Sequence, residues 1–226
     1  MKNNIISIEK LLMIFLCLFI LFCMSSCINI KSDYPQIQYY RLIQEPTKLK
    51  NLATIEGSLQ VRAITISDEF KYDNLLAFWD SSYIQMYYYH RWIADPGSLV
   101  TDFIINRYNS SNAFSYGVIN SSAITVPDYI MEGQVLDWTA YSSNKEASGQ
   151  FSNYINFSIR INVIRRDSLG VIRSKLLNKV YSIRIPRPNN NVQSIPPAFS
   201  SAVSHIADLM LLDIQVAIAT DQKVKE

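Results

Sequence analysis

The side chains that could carry acid–base chemistry are few. His90 and His205 are the two imidazoles in a chain of 226 residues, and Asp128, Glu132 and Asp137 are carboxylates within ten positions of one another. A histidine beside a carboxylate makes a general base, and His205 and Asp208, three apart in a helical pattern, would share a helix face. Paired carboxylates are what glycoside hydrolysis requires. Neither grouping is completed, because the sequence has no Gly-x-Ser-x-Gly elbow, no His-Glu-x-x-His and no cysteine beyond residue 27. Strand alternation also predicts that Asp128 and Glu132 face away from Asp137. Six scattered glycines form no phosphate-cradling loop, so a nucleotide would have to be handled by another subunit. The expectation is a non-enzymatic protein with no catalytic residue, no metal site and no cofactor.

The informative residue is a cysteine. Cys17, Cys23 and Cys27 all lie in the first 27 positions, where two lysines in residues 1–10 precede an uncharged apolar run from Leu11 to Met24. That run is shorter than the roughly 20 residues a membrane span needs, and it fits a signal peptide. Met24-Ser25-Ser26-Cys27 resembles the bacterial lipobox, which implies cleavage before Cys27 and lipid attachment to it. An unmodified Cys27 would be an unpaired thiol in an oxidising compartment; two or three acyl chains would instead make a stable anchor. Ile28, rather than aspartate, after the cysteine favours the outer membrane by resemblance to sorted lipoproteins, with the domain on the periplasmic face.

Removing residues 1–26 takes away Lys2, Glu9 and Lys10 and lowers the formal charge from +2 to +1. So small a basic excess gives no reason to expect nucleic acid as a partner. With 49% hydrophobic and 18% charged residues the chain can bury an ordinary core. The expected organisation is a signal peptide over 1–26, a lipidated tether over 27–36, one domain over 37–220 and a polar tail over 221–226.

Within the domain, periodicity predicts extended segments at Ile37–Ile43, Ser58–Ile66, Asp73–Asp80 and Tyr83–Ile93, with a turn at Asp80-Ser81-Ser82. Asp95 as cap and Pro96 in the first turn predict a helix over 96–109, whose stripe is Leu99, Val100, Phe103, Ile104 and Tyr108. Strands follow at Phe114–Ile119 and Asp128–Trp138, and Asn144–Gly149 is a polar turn. Ile155, Phe157, Ile159, Ile161 and Val163 alternate with polar residues, as in a sheet buried on one face. Asp167-Ser168-Leu169-Gly170 turns the chain into a returning strand. Pro196-Pro197 opens a last helix on Phe199, Val203, Ile206, Met210 and Ile214. The expected fold is α+β, a single domain with a mainly antiparallel sheet of about six or seven strands and two helices packed on one face.

The order of features resembles the ABC-type transport auxiliary lipoprotein family, in its PqiC-like branch. The matching residues are Tyr39-Tyr40-Arg41-Leu42, Tyr88 through Trp92 followed by Pro96 and a helix, Asp128-Tyr129-Ile130-Met131-Glu132-Gly133, and a terminal helix with Ser200, Ser201, Ala202 and Ala207. The resemblance implies an outer-membrane lipoprotein working with an MCE-domain protein and an ABC permease in lipid transport. The alternative is a structural or surface-adhesion lipoprotein. Alternation over Tyr83–Trp92 predicts Ile84, Met86, Tyr88 and Trp92 inward and Tyr83, Tyr87, Tyr89 and Arg91 outward. Tyrosine and arginine are enriched in protein interfaces, so these four are the candidate contact with an MCE-domain ring or a further copy of this lipoprotein.

Overall fold

The computed structural model describes residues 10, 12–18, 35–46, 53–79, 83–143, 153–167 and 169–223. The chain divides into two compact units, Met1–Pro35 and Gln36–Glu226. In the first, residues 12–18 are helical, with Leu12, Met13, Ile14, Phe15, Leu16 and Leu18 exposed. The expected cleavage site, Cys27 and the tether up to Tyr34 lie outside the described residues, as do the turns expected at Asp80-Ser81-Ser82 and Asn144–Gly149.

The second unit is an α+β domain. Its strands are β1 (Gln38–Tyr40), β2 (Leu59–Val61), β3 (Thr65–Ile66), β4 (Asn74–Trp79), β5 (Tyr83–Trp92), β6 (Val118–Asn120), β7 (Tyr129–Ser142), β8 (Tyr154–Arg166) and β9 (Ile172–Pro186); its α-helices are α1 (Pro96–Ser110) and α2 (Ile195–Lys223). The sheet has nine strands, not six or seven, and it is mixed rather than mainly antiparallel. The antiparallel pairs β4–β5, β7–β8 and β8–β9 are the long ones. Those joining β1 to β5, β2 to β6, and β2, β3 and β4 to β7 are parallel and span two or three residues each. Strands that short carry no readable period in sequence, which is why Ser58–Ile66 reads as one strand but folds as two.

β7 is the spine. One side pairs with β8 along nearly its whole length; the other is shared in turn by β2 at Leu59↔Tyr129, β3 at Thr65↔Gln134 and β4 at Phe78↔Tyr141. The two-strand group β4–β5 with β1 therefore sits at one end of β7, and β2 with β6 at the other.

Alternation holds along β8, where Ile155, Phe157, Ile159, Ile161 and Val163 are 0–1% exposed. The inward residues meet α2, whose Phe199, Val203, Ile206, Met210 and Ile214 are all buried. By length and composition α2 could cross a membrane, but it packs on β8 and β9 and half of its most apolar window is buried. It continues to Lys223, and Arg165 donates to Asp221 at 2.9 Å, so residues 221–223, expected in a polar tail, are the helix's last turn.

α1 begins as predicted: the Asp95 carboxylate accepts from Ser98 N at 3.1 Å and Pro96 opens the helix. Gly97 is required there, because a Cβ would stand 2.5 Å from the Ile64 carbonyl. α1 is fastened to α2 by Tyr108 Oη donating to Ala207 O at 2.9 Å, and by the Arg107 guanidinium, which grips both Asp208 oxygens at 2.7 and 2.8 Å.

Candidate functional site

Neither enzymatic grouping forms an active site. Asp208 is taken by Arg107, while His205 on the same helix is exposed. Asp128 accepts from Ser58 N and Oγ, Glu132 pairs with Arg62, and Asp137 accepts from Thr139 Oγ1. A bulge at Leu136 shifts the register between Val135 and Asp137, so Glu132 and Asp137 share the outer face instead of opposing each other. About four strand positions still separate them, roughly 13 Å at the strand rise, too far for a glycosidase pair. Among the described residues no three His, Cys, Asp or Glu gather as a metal cluster.

A second irregularity rearranges the tyrosines of β5. The register runs Trp79↔Tyr83, Ala77↔Gln85 and Leu75↔Tyr87, then jumps to Asn74↔Arg91, so Tyr88, Tyr89 and His90 are extra residues opposite a single step of β4. Before the bulge, odd residues lie on the face of the buried Leu75 and Ala77; after it, Trp92 is the buried one. The predicted outward set is thereby split. Tyr83 and Tyr87 belong to the helix-side face, where Tyr87 is half-buried against the core and edge-on to His90. Tyr89 and Arg91 belong to the outer face. The correction extends to Ile84 and Met86, expected inward: Ile84 pairs with Phe78 and Met86 with Leu76, on the outer face. Tyr88, also expected inward, is 67% exposed. Of that inward set, Trp92 is buried, among Trp138 and Phe199.

β1 completes the outer patch. Tyr39 pairs with Arg91 and Tyr40 with Trp92, and Ile93 N donates to Tyr40 O at 2.8 Å. Tyr40 turns inward, stacks on His90 and shares a 2.8 Å hydrogen bond between its hydroxyl and His90 Nδ1; burial raises the Tyr40 pKa above its ordinary value. Ile37, Tyr39 and Ile93 are exposed at 43%, 60% and 65%. Arg91 is held by Asp73 at 3.5 Å and by donation from its Nε to Tyr88 O. The segment after β1 is pinned onto both helices: Ser200 and Ser204 accept from Ile43 N and Glu45 N, and Arg107 donates to Glu45 O.

Farther along the same outer face, one row of side chains crosses five strands in register: Ile84, Phe78, Tyr141, Tyr154 and Pro186. Phe78 and Tyr141 lie 5.6 Å apart, Tyr141 stacks on Tyr154 at 4.7 Å, and the Arg184 guanidinium covers Tyr154 at 4.2 Å. Beside the row, Asp137, Asn156, Ser158, Ser182 and Arg184 line a shallow cleft of about 310 Å³. The row has no signature in sequence, because its members come from distant strands and pairing is what aligns them.

Arg187, another residue that sequence did not single out, is 5% exposed. It donates to Tyr141 O, Ser142 Oγ, Asn191 O and Ser194 Oγ, tying the end of β9 to β7 and to the start of α2. These acceptors are neutral, and burial lowers its pKa to about 10, Tyr87 acting in the opposite sense. The guanidinium is a structural staple.

No protein-family model and no curated protein matches the sequence. Solved structures do. Protein XCC0632 from Xanthomonas campestris, a DUF330 protein, matches with a TM-score of 0.66 over 84% of this chain and 99% of that one, at 10% identity. An uncharacterized protein matches with a TM-score of 0.53 over 79% of this chain and 99% of that one, at 9% identity. At such identities the likeness is one of fold: this chain shares the α+β architecture of a DUF330 protein.

Proposed function

We propose that the protein is a lipoprotein anchored through Cys27 at the periplasmic face of the outer membrane, acting as a non-catalytic accessory component of an ABC/MCE-type lipid transport system. The observation that carries this reading is the convergence of the motifs behind the family resemblance. Tyr39-Tyr40 and Arg91-Trp92, some fifty residues apart in sequence, are hydrogen-bonded neighbours in register. Pro96 starts the helix directly after them, Asp128–Gly133 opens the central strand, and Ser200 holds the segment leaving β1. Residues matched as separate fragments thus form one connected unit, which supports reading them as a family signature. The DUF330 fold supports the same reading at the level of architecture.

The outer-face row of Phe78, Tyr141 and Tyr154 suits contact with a protein partner, an MCE-domain ring or a further copy of this chain. Stacked tyrosines offer large amphipathic area with little rotamer entropy to lose, and aromatic and arginine side chains dominate interface energetics. The test is affinity purification of the full lipidated chain from cross-linked cells. An MCE-domain protein and an ABC permease component should be recovered, and Tyr154→Ala should reduce their recovery while leaving the fold intact. Recovery of the lipoprotein with neither component would overturn the transport assignment.

A further inference from the structure

We infer that the polar cavity where the end of β8, the start of β7 and the segment entering β2 meet binds a small zwitterion carrying a phosphate ester and a primary ammonium group. Arg166 and Tyr129 hold the phosphate, and Asp128 and Glu56 hold the ammonium. The site goes beyond the transport reading and does not rest on it.

The cavity has a volume of about 380 Å³, and Glu56, Asp128, Tyr129, Arg165, Arg166 and Asp167 are among the residues that line it. Arg165 and Asp167 are committed elsewhere: Arg165 donates to Asp221 at 2.9 Å, and Asp167 Oδ1 closes the hairpin turn by accepting from Leu169 N and Val171 N. The others keep capacity to bind. Arg166 donates from Nε to Gly170 O at 2.7 Å, and among the described residues neither Nη1 nor Nη2 has a hydrogen bond or a carboxylate partner. Asp128 accepts through Oδ2 from Ser58 N and Oγ, at 2.8 and 3.0 Å, and among the described residues nothing bonds to its Oδ1. Glu56 is exposed and has no partner among the described residues.

The observation that points to a ligand is Tyr129. It is 3% exposed and lines the cavity, yet its hydroxyl makes no hydrogen bond among the described residues. A hydroxyl taken out of bulk water without a partner costs free energy, and the cavity is the side from which a partner can reach it. Burial raises the Tyr129 pKa, Arg165 pulls it down, and Asp128, Asp221 and Glu56 add to the rise, so the hydroxyl stands in a field of both signs.

Both charged poles are held in place by the backbone. Gly57, at φ 110°, lets Asp128 approach: a Cβ there would stand 3.0 Å from Asp128 Oδ2. Gly170, at φ 77°, does the same for Arg166, whose Nη2 would lie 3.0 Å from a Cβ. Arg166 N donates to Asp128 O at 2.8 Å and fixes the two strand ends side by side.

The ligand class follows from the groups left over, which are a guanidinium fork, a hydroxyl and carboxylate oxygens. An anion alone would face Asp128 and Glu56, and a cation alone would face Arg166; a zwitterion satisfies both. β8 and β2 flank β7 on opposite sides, so Arg166 and the entry to β2 are separated by two strand spacings, roughly 10 Å. An α-amino acid, with both charges on one carbon, is too short for that span. An amino-alcohol phosphate is longer, and its phosphate accepts charge-assisted bonds from a guanidinium together with a hydroxyl bond. The same chemistry occurs in the headgroup of an ethanolamine phospholipid and in its water-soluble glycerol ester.

The experiment uses the full lipidated chain in dodecyl maltoside at low salt, with glycerophosphoethanolamine titrated calorimetrically. It should bind about tenfold or more tighter than glycerophosphoglycerol, ethanolamine or alanine, the first two of which each lack one pole. Arg166→Gln should weaken binding by a similar factor. Tyr129→Phe should weaken it several-fold and leave the urea midpoint unchanged, because the hydroxyl bonds to nothing in the free protein; this variant keeps the test decisive if Arg166→Gln loosens the hairpin turn. Competition by phosphatidylethanolamine in mixed micelles supports the site with a lipid headgroup as its occupant, and failure of that lipid to compete supports it with the soluble ester. Glycerophosphoethanolamine that binds no better than the three other probes, or as tightly to both variants as to the unaltered protein, overturns the site. Because the transport reading is tested by co-purification, it stands or falls separately.

Discussion

β8 and β5 are both long strands, and both read in sequence as alternating; one keeps its alternation and the other does not. Along β8 five inward residues are buried to 1% exposure or less and pack beneath α2. Along β5 the insertion of Tyr88, Tyr89 and His90 reverses which residues face the core. The difference lies in the neighbours. β8 is flanked by two long strands, and where its pairing shifts, between Val135 and Asp137 of β7, between Leu177 and Lys175 of β9 and between Ser174 and Ile172 of β9, the extra residue lies in the neighbour and not in β8. β5 has a six-residue strand on one side and a three-residue strand on the other, which leaves room for a bulge. Alternation is kept by the strand that carries no extra residue and reversed in the strand that does, as β5 does at Tyr88–His90 and β7 at Leu136.

The sharpest test of this contrast is in the covered region. Phe199 stacks on Trp138 at 4.0 Å and meets Trp92 at 5.9 Å, beneath α2. Phe199→Ala should cost about 3–5 kcal/mol, the range for deleting a fully buried aromatic. Urea unfolding should show a lowered midpoint with little change in slope. A loss below 1 kcal/mol would mean that the aromatic cluster is not the centre of the core.

A smaller effect is expected where α1 crosses the β2–β3 connection. Gly97→Ala places a methyl group 2.5 Å from the Ile64 carbonyl, and backbone cannot swing away as a side chain would. The expected loss is about 1–3 kcal/mol, as for other overpacked sites. It should appear in the same unfolding curves. An unchanged midpoint would show that the connection can yield.

Two substitutions in β5 probe the face reversal. Tyr87 is half-buried against the core while Tyr89 is 48% exposed on the other face. Tyr87→Ala should cost about 1–2 kcal/mol, roughly half of a full aromatic truncation, and Tyr89→Ala less than about 0.5 kcal/mol. Equal losses would restore the unbroken alternation that sequence predicts.

What sequence made legible follows the same division. The cap at Asp95, the start of α1, the β8 pattern, the Asp167–Gly170 turn and the α2 stripe are all local signals, and each appears where expected; the turn is closed by Asp167 Oδ1 accepting from Leu169 N and Val171 N. The parallel pairings, the bulges at Leu136 and at Tyr88–His90, and the outer-face row depend on which strands become neighbours. No window of sequence encodes that choice. The candidate site is accordingly half legible: alternation puts Tyr89 and Arg91 on the outer face, where they lie, and also Tyr83 and Tyr87, which the bulge turns to the helix side. Nothing in sequence marks Tyr39 and Ile93 as their neighbours, because the partner of a three-residue strand such as β1 is fixed only by the fold.

The smallest effect concerns the wet margin of the well-paired region, where Asp213 of α2 joins the outer strand β9. Its carboxylate accepts from Lys179 Nζ and Tyr181 Oη, both at 2.6 Å. Partial burial raises its pKa, but these two donors outweigh that and hold it below the ordinary 3.8. Tyr181 shifts the other way: burial, then the hydrogen bond to Asp213, keep its hydroxyl protonated far above pH 10. A carboxyl with a lowered native pKa contributes stability above its unfolded pKa and loses it as pH falls through the native value. A phenol with a raised native pKa contributes below its unfolded value near 10 and loses that contribution as pH climbs toward the native one. Asp213→Asn removes the titrating carboxyl and the lesser cause of the Tyr181 shift, burial remaining. It should therefore cost less than about 1 kcal/mol at neutral pH, since the pair is substantially exposed. The cost should be flat from pH 5 to 9 and fade below pH 4, while the burial-driven part of the Tyr181 shift is present in both proteins. Unfolding midpoints of the two proteins across pH 3–10 check this, and a gap that persists undiminished in acid would show that Asp213 acts through packing rather than charge. That outcome would make the outer margin of β9 an extension of the core, and the contrast with β5 would then be one of coverage as well as register.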